Sequence, residues 1–568
     1  MKYVIEFSER KRSIINIELT ISTSQPEIIL NLPTWRPGRY EKANFAKNIY
    51  PVSATDDQGK HLHVEKTATN QWKVKTADAS NEVKVKYAYY ANQMDAGSSW
   101  VDETLIYLNF INCLLYDQAF VDQPCTVILN IPDSYQVACG IPFKNRSIHA
   151  ENYYHLVDAP LMAAEKLQHK SYSYQDTAYH LWLYGECSPD WPSIIEDFTK
   201  FTKVQVDTLG SFPENNYHFL FIILPYRHYH GVEHRNSTVI TLGPDEDFKE
   251  GSFYENFLGI SSHELFHSWN VCKIRPKELT PYDFTKENYF TTGYVAEGVT
   301  TYYGDLFLKR SGVFSINQYL NEINKLLKRH TYLYKNAASS LSQSSLDLWV
   351  DGYAPGIPDK KVSIYEKGAL MAMLLDLKIR KESTNSKSLD DVMRVLWEQY
   401  GQNGTGYSDA DYKSIAENVS GIPLDDYFNL YINGVTDFSE ELKQLLDYMG
   451  LAFIQIHSEK KSESFYGIKL NEGMEKTIVD LVDQKAPSAE IFKKGDEIIA
   501  VNGRKINKNT DKLLNNNSNT FHYFRDNKLM QAELKVEGKS YFSYYHISFA
   551  KNPVGEKQKN LIAWLGNH

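Results

Sequence analysis

The segment FLGISSHELFHSWNVCKI, residues 257–274, is the most informative stretch of the chain. Its apolar residues recur at helical spacing and predict a buried helix over residues 254–272. His263 and His267 lie four residues apart, so their imidazoles share one helix face and can bind one metal ion. Glu264 stands beside the coordination position that such an ion leaves open. We therefore expect it to accept a proton from water rather than to bind the metal.

A catalytic zinc site needs a third protein ligand. Glu297 lies 30 residues after His267, in GYVAEGVTTYYGDLFLKRSG, residues 293–312, where apolar residues again recur at helical spacing. Its carboxylate is predicted to complete a site for one Zn²⁺ per chain. Thr301 and Asp305, later on the same helix, are predicted to hydrogen-bond a ligating imidazole.

Two further residues have side chains that a peptidase can use. Glu233, in GVEHRNS (residues 231–237), precedes the metal-binding helix and could accept a substrate ammonium group. Tyr365 opens a predicted helix over residues 364–381, and its phenol could donate to the oxyanion of a tetrahedral intermediate. On residue type alone, a structural role fits both residues better.

Composition and charge exclude several classes of protein. The 568 residues are too many for one hydrophobic core, and the net charge of -10 disfavours nucleic-acid binding. No apolar run approaches 18 residues, so no transmembrane helix is expected. The N-terminal MKYVIEFSERKRS is charged where a signal peptide is apolar, and five scattered cysteines fit a reducing compartment. We expect a cytoplasmic protein, or a periplasmic or secreted one if a leader has been removed.

The pattern along the chain predicts a multidomain α+β fold. Short alternating runs between turns indicate an N-terminal β domain over residues 1–165, in which no catalytic cluster is evident. Residues 166–445 read as mixed α/β and then helical structure, and residues 447–550 as a small strand-rich unit. Residues 551–568 are a short lysine-rich tail to which no role is assigned. Long helices are predicted at 254–272, 293–310, 315–334 and 364–381.

Together these motifs resemble those of the glycyl aminopeptidase family of PDZ-carrying zinc metallopeptidases, which is of gluzincin type and related to the aminopeptidase N group. The N-terminal LNLPTWRPGRYEKANFAKNI, residues 30–49, looks like the family's β domain, and KKGDEIIAVNGRKI, residues 493–506, looks like its PDZ core. The other matching motifs are GVEHRNS at 231–237, HELFH at 263–267, EGVTTYY at 297–303 and YEKGALMAMLLDLKIR at 365–380.

This resemblance implies a thermolysin-like catalytic domain with a helical subdomain, followed by a C-terminal PDZ domain. The implied activity is zinc-dependent removal of N-terminal residues, often small ones such as Gly or Ala, from peptides with a free N-terminus. Glu233, with its neighbour His234, would bind the substrate, and Tyr365 would stabilise the oxyanion. His230 departs from the family pattern, which has glycine before G-x-E-H, so the exact residue preference stays open.

Several alternatives remain open from the sequence. The chain could be a zinc endopeptidase, which needs no amine anchor, or a peptide-binding scaffold with a vestigial metal site. The PDZ-like unit could bind a peptide by strand addition or only pack against the catalytic domain. His228 and His230 could suggest a second metal, although a role in lining a cleft is favoured.

Overall fold

The computed structural model describes residues 1–76, 81–245, 252–334, 337–354, 356–357, 360–538, 540–549 and 553–567. The first 165 residues form three β-sheets. One sheet has seven strands, in the spatial order Ser147–Ala150, Cys125–Asn130, Lys2–Glu9, Ile14–Ser22, Glu82–Tyr90, Ile49–Asp56 and His61–Leu62. Two four-stranded sheets have the orders Gln136–Cys139, Leu161–Ala164, Leu105–Leu108, Trp100–Val101 and Tyr116–Asp117, Glu27–Asn31, Gln71–Lys75, Val64–Ala68.

Alternation of apolar and polar residues produces these strands. In Ile14–Ser22 the side chains of Ile15, Ile17, Leu19 and Ile21 are buried, while the residues between them lie toward the other face. The N-terminal β-rich domain expected from the sequence is therefore confirmed. The runs predicted as strands at 13–21, 83–90 and 126–131 form Ile14–Ser22, Glu82–Tyr90 and Cys125–Asn130.

A five-stranded sheet follows and forms one wall of the functional site. The helix Trp191–Leu209 connects two of its parallel strands and packs on one face through Ile194, Phe198 and Phe201. The last strand in the spatial order, His228–His234, lies at the sheet edge and contains Glu233. The spatial order is Gln168–Tyr174, Thr177–Tyr184, Asn216–Ile223, Ser237–Gly243 and His228–His234.

Helices dominate from residue 252 to residue 448. The predicted helix over 254–272 ends at Phe266, and the predicted helix over 293–310 begins as a π-turn, Tyr294–Val299. The two other predicted long helices are confirmed as Ile316–Tyr334 and Glu366–Glu382. The remaining helical segments are Thr300–Arg310, Leu341–Leu346, Leu348–Asp351, Leu389–Leu396, Trp397–Gly401, Asp409–Ser420, Asp425–Tyr427, Phe428–Ile432 and Ser439–Tyr448.

A small strand-rich unit occupies the C-terminal part of the chain. Leu451–His457 pairs with Ser543–Phe549, and Phe453 and Ile547 of this pair join the apolar core formed mainly by the helices between residues 252 and 448. The chain between them forms a separate sheet with its own apolar core. Its strands are Ile468–Glu472, Thr477–Val482, Glu497–Val501, Ser518–Arg525 and Lys528–Lys535, with Arg504–Lys505 paired to the third.

The last residues form an ordered helix, Glu556–Leu565, where the sequence predicts only a lysine-rich tail. Trp564 is fully buried in the apolar core formed mainly by the helices between residues 252 and 448. Its Nε1–H donates to the hydroxyl of Tyr302 at 2.8 Å. Lys309 and Arg310 donate to the last carbonyls of this helix. A buried tryptophan this close to the end of the chain anchors the C-terminus on the helix that follows Glu297.

The described residues thus form a multidomain mixed α/β fold with an N-terminal β-rich domain. Within those residues, no helix combines the length and the apolar character needed to cross a membrane.

We expect Trp564→Ala to lower the free energy of unfolding of the helical region between residues 252 and 448 by ~3–5 kcal/mol, because it removes a large buried side chain and leaves a cavity. Ile562→Ala, on the same helix but at a residue that is 39% exposed, is the matched control. Denaturant unfolding of both variants checks this. Equal effects of the two substitutions would show that the C-terminal helix is not anchored through Trp564.

Candidate metal centre

The structure brings the three predicted ligands together. His263 lies in the last turn of the helix Ser252–Phe266, and His267 lies just beyond its end. Their Nε2 atoms are 3.0 Å apart, and Glu297 Oε2 is 3.4 Å from His267 Nε2. One ligand atom from each residue lies within 4.8 Å of the other two. Two imidazole nitrogens and one carboxylate oxygen therefore converge on one point.

The orientation of His267 is set by the backbone. Its Nδ1 is 2.6 Å from the carbonyl oxygen of Asn270, which can only accept a hydrogen bond. Nδ1 therefore carries a proton, and Nε2, which lies toward Glu297 and His263, is the nitrogen that could bind a metal ion. This is the arrangement by which proteins orient a metal-ligating histidine, and the donor set fits a bound cation.

Asn270 also fixes the position of Glu297. Its Nδ2 donates to the carbonyl oxygens of Val295 and Ala296 at 2.8 and 3.2 Å, and to Thr300 Oγ1 at 3.0 Å. These carbonyls belong to the π-turn that carries Glu297, a type of irregularity often found at functional sites. One side chain thus holds both halves of the metal centre.

The hydrogen bonds around the candidate metal ligands differ from those predicted for Thr301. Thr301 was expected to contact an imidazole, but its Oγ1 is buried with no hydrogen-bond partner among the described residues. The neighbouring Thr300 contacts no imidazole, but its hydroxyl donates to the carbonyls of Asn270 and Ala296 at 3.1 and 2.7 Å, and the Asn270 carbonyl is the one that accepts from His267. The π-turn changes which side chains face the metal helix, so simple helical spacing misplaces Thr301. For Asp305, whose carboxyl also lines the cleft, the predicted contact to an imidazole stays a prediction.

Glu264 is buried beside the metal ligands. Its Oε2 accepts a hydrogen bond from Thr238 Oγ1 at 3.5 Å, and a Cβ at Gly231 would collide with its Oε1. Burial raises the pKa of Glu264 to about 8; His267 opposes this shift, whereas Glu233 and Glu297 add to it. A cation held nearby would favour the ionised form, and a carboxylate in this position can serve as a general base.

Glu233 lies next to this group on the strand His228–His234. The residue is only 5% exposed, and its Oε1 is buried with no hydrogen-bond partner among the described residues. An oxygen of Glu233 lies within 4.8 Å of ligand atoms of both Glu264 and His267. Burial raises its pKa, an effect that His267 opposes and Glu297 reinforces. A buried carboxylate without a donor is costly unless a cation or donor binds to it.

His234, predicted as substrate-binding, does not face the cleft. Its Nδ1 is hydrogen-bonded to Asp158 Oδ1 at 2.9 Å, and it lines a separate cavity of about 230 Å³ with Arg275 and Tyr282. Consecutive strand residues point to opposite faces, so the side chain of His234 points away from that of Glu233. The role of His234 in substrate binding stays a prediction.

The remaining cleft residues include Tyr365. It precedes the helix Glu366–Glu382, and its hydroxyl is 3.5 Å from that of Tyr353. Burial, reinforced by Glu297, raises the pKa of Tyr365 well above its usual value. The phenol therefore keeps its proton and can donate a hydrogen bond. The whole cleft has a volume of about 750 Å³.

His228 and His230 line the same cleft, as the favoured reading of the sequence predicts. His230 Nδ1 accepts a hydrogen bond from the backbone N–H of Ala96 at 3.3 Å. The metal-binding groups found among the described residues include neither histidine.

The N-terminal β domain also reaches the site, which the sequence did not indicate. The hydroxyl of Tyr40 donates to Glu297 Oε1 at 3.3 Å, and Gly38 lies directly against Glu233. A tyrosine and a glycine in a loop belong to no catalytic motif, so only the folded structure shows their position.

The electrostatics of the centre favour a cation. Burial lowers the pKa of His267, but Glu233, Glu297 and Glu264 together raise it to about 10. Three buried carboxyl groups around one imidazole produce a negative electrostatic potential when they are ionised. The arrangement fits a metal centre with a neighbouring carboxylate that can act as a base, and comparison with known proteins supports a metallo-aminopeptidase.

Two family models match the chain. The Peptidase M61 N-terminal domain matches residues 2–165, and the M61 glycyl aminopeptidase model matches residues 256–371, which include the three candidate metal ligands, Glu264 and Tyr365. Over these residues the chain is similar to the M61 peptidases, the glycyl aminopeptidase family.

The chain is also similar to solved structures. An aminopeptidase N family protein of Idiomarina loihiensis is 26% identical and superposes with a TM-score of 0.90 over 99% of each chain. An M1 zinc metallopeptidase of Deinococcus radiodurans, solved with a Tyr-Ser-Ala substrate, is 14% identical with a TM-score of 0.48, over 77% of this chain and 94% of that one. No curated protein sequence matches the chain.

We expect Asn270→Ala to lower the free energy of unfolding by ~1–3 kcal/mol, because two buried carbonyls of the π-turn lose their donor. Asn403→Ala is the matched control: its Nδ2 also donates to two carbonyls, but at an exposed site, so its effect should stay within about 0.5 kcal/mol. Denaturant unfolding of both variants measures the difference. If Asn270→Ala is as mild as the control, the side chain does not hold the two halves of the site together.

Proposed function

We propose that the chain is a zinc-dependent aminopeptidase that removes single residues from the free N-terminus of peptides. The observation that carries this proposal is the buried, unpartnered Oε1 of Glu233, close to the metal-binding group. A substrate ammonium would supply the missing donor and the compensating charge. An endopeptidase has no need of such an anchor, so the alternative of internal cleavage is less well supported.

Zinc is the metal that this ligand set suits best. Two imidazole nitrogens with one carboxylate oxygen are typical of catalytic zinc, which keeps a further position open. His263, His267 and Glu297 would hold it. When bound, the ion supplies positive charge that polarises the peptide carbonyl and makes water more acidic.

The chain's own residues account for the remaining chemistry. Glu233 holds the substrate ammonium and thereby places the first peptide carbonyl in the cleft. Glu264 takes a proton from water while the water oxygen forms a bond to the carbonyl carbon. Glu264 then delivers that proton to the leaving nitrogen as the C–N bond breaks. The phenol of Tyr365 donates a hydrogen bond to the oxygen that becomes negative.

Small first residues such as Gly or Ala are the proposed substrates. The family relationship favours this preference, and His230 lines the cleft where the family pattern has glycine. An imidazole in that place takes up space near the substrate's first residue. A narrowed pocket is consistent with small side chains.

We also propose the domain division that the sequence predicts. It comprises the β domain at 1–165, a thermolysin-like catalytic domain at 166–445 with its helical subdomain, a PDZ-like domain at 447–550 and the C-terminal segment 551–568. The five-stranded sheet with its adjoining helices and the separate apolar core of the C-terminal sheet support this division. A peptide ligand for the PDZ-like domain, and residence in a reducing cytoplasm with free thiols, belong to the same proposal.

Glu264→Gln should keep the metal but lose ~10²–10⁴-fold in kcat, because an amide keeps the shape yet cannot accept the proton. Glu255→Gln, a cleft carboxylate on the same helix, is the control and should stay near wild type. Kinetics and zinc content are measured together. Activity of Glu264→Gln within a few-fold of wild type would remove Glu264 from the role of base.

Tyr365→Phe should lower kcat by ~10²–10³-fold and change KM little, because the lost hydrogen bond forms chiefly in the transition state. Tyr353→Phe is the comparison, since the two hydroxyls are neighbours in the cleft. A larger kcat loss in Tyr353→Phe would transfer the role to Tyr353. An unchanged kcat with a raised KM would reassign Tyr365 to substrate binding.

N-acetylation should abolish cleavage by the wild-type enzyme, because the acetylated nitrogen carries no charge for Glu233 to bind. Glu233→Ala should sharply reduce kcat/KM for free-amine substrates while zinc content stays intact, since removing one partner of a buried charge pair costs several kcal/mol. The penalty for acetylation should then shrink. Internal cleavage of acetylated peptides as fast as free ones would establish the endopeptidase alternative.

A further inference from the structure

A turn of the N-terminal β domain is fixed against the catalytic domain. Before the turn, Thr34 N–H donates to the carbonyl of Phe284 at 2.9 Å, and Trp35 Nε1–H donates to the carbonyl of Asp283 at 2.8 Å. The turn itself, Arg36–Glu41, is tight, with a hydrogen bond from Arg39 N–H to the Arg36 carbonyl. Hydrogen bonds from Thr34 and Trp35 to the segment around residues 283–284 therefore fix the position of the turn relative to the metal centre.

Tyr40, in this turn, contacts the third metal ligand. Its side chain is 1% exposed, its ring packs edge-on against Phe290 with centroids 4.8 Å apart, and its hydroxyl donates to Glu297 Oε1 at 3.3 Å. The other oxygen of Glu297 is the one that lies 3.4 Å from His267 Nε2. One carboxylate oxygen is thus held by Tyr40, and the other is left to bind the metal.

Gly38 contacts the amine-binding residue. Its φ is +75°, a conformation that glycine adopts readily and other residues rarely do. A Cβ built on Gly38 would lie 2.5 Å from Glu233 Oε2, closer than real Cβ contacts, and 3.1 Å from its Oε1, so the Glu233 carboxylate would have to move. The absence of a side chain at Gly38 is what allows the turn to touch the carboxylate of Glu233.

We infer that the turn Arg36–Glu41 is part of the active site, with two positioning residues. Tyr40 orients Glu297 toward the metal, and Gly38 lets the turn pack against Glu233 and hold its carboxylate where the substrate ammonium binds. The inference rests on the proposed function for the role of Glu233. It means that the N-terminal β domain contributes to metal binding and to recognition of the free N-terminus.

Tyr40→Phe tests the first half. It removes only the hydroxyl, and loss of a hydrogen-bond partner of a metal ligand typically weakens metal binding by ~10–100-fold. Tyr3→Phe is the matched control, since Tyr3 is fully buried in the same domain and donates to the Leu115 carbonyl, away from the cleft. Zinc affinity, measured by competition with a chelator, should fall in Tyr40→Phe alone. Equal zinc affinities of the two variants would overturn the role of Tyr40.

Gly38→Ala tests the second half. The added methyl should displace the carboxylate of Glu233, and a displacement of about 1 Å at an active site can lower activity by ~10²-fold. We expect KM for free-amine peptides to rise with zinc affinity unchanged. Gly59→Ala controls for backbone strain, because Gly59 also has positive φ (+82°) in the N-terminal domain but nothing within 4 Å of a Cβ. Equal KM values in both variants would overturn the role of Gly38.

The two measurements separate failure of the inference from failure of the proposed function. Zinc competition requires no substrate, so it tests Tyr40 even if the protein cleaves no free-amine peptide. If wild type has no aminopeptidase activity, the role of Gly38 in amine recognition falls with the proposed function, whereas a selective loss of zinc affinity in Tyr40→Phe still places the turn at the metal centre.

Discussion

The structure buries three carboxyl groups, those of Glu233, Glu264 and Glu297, beside the imidazole of His267, and they can all be ionised only if cations accompany them. Removing several carboxylates from water costs far more than their hydrogen bonds return unless positive charge accompanies them. Two cations satisfy the requirement in the proposed enzyme. A zinc ion takes Glu297 with the two histidines, and a substrate ammonium takes Glu233, which leaves Glu264 between them as a base.

Each carboxylate comes from a different element, and the fold exists largely to hold these elements together. Glu264 lies on a helix packed against the five-stranded sheet, and Glu233 on the edge strand of that sheet. Glu297 lies on a π-turn tied to the metal-binding helix by Asn270. Close backbone contact between Gly298 and Gly368 brings in the helix of Tyr365, because a Cβ on Gly298 would lie 2.5 Å from Gly368 Cα. Distant segments thus meet at one point.

Short-range patterns explain what the sequence predicts well. His263, Glu264 and His267 stand within five residues at the C-terminal end of one helix, where the His267 N–H still donates to the His263 carbonyl, so local geometry places them. The alternating strands follow from burial of one sheet face. The features that were missed depend on contacts between segments far apart in the chain. Tyr40 meets Glu297 across 257 residues, and the C-terminal helix gains its order from burial of Trp564. Glu233 and His234 are neighbours in one motif, but they lie on a strand whose consecutive side chains point to opposite faces, and the sequence motif does not show this.

The most direct test of this account is the location of the metal. Crystals of the zinc-loaded protein, measured at the zinc absorption edge, should show one anomalous peak at about 2.0–2.1 Å from an imidazole nitrogen of both His263 and His267, with the Glu297 carboxylate as third ligand. A second group, Glu233, Glu264 and His267, also has its ligand atoms close enough to hold an ion. A peak bound by that group instead, or no peak beside His263, would contradict the assignment of Glu233 to the substrate and Glu264 to the base.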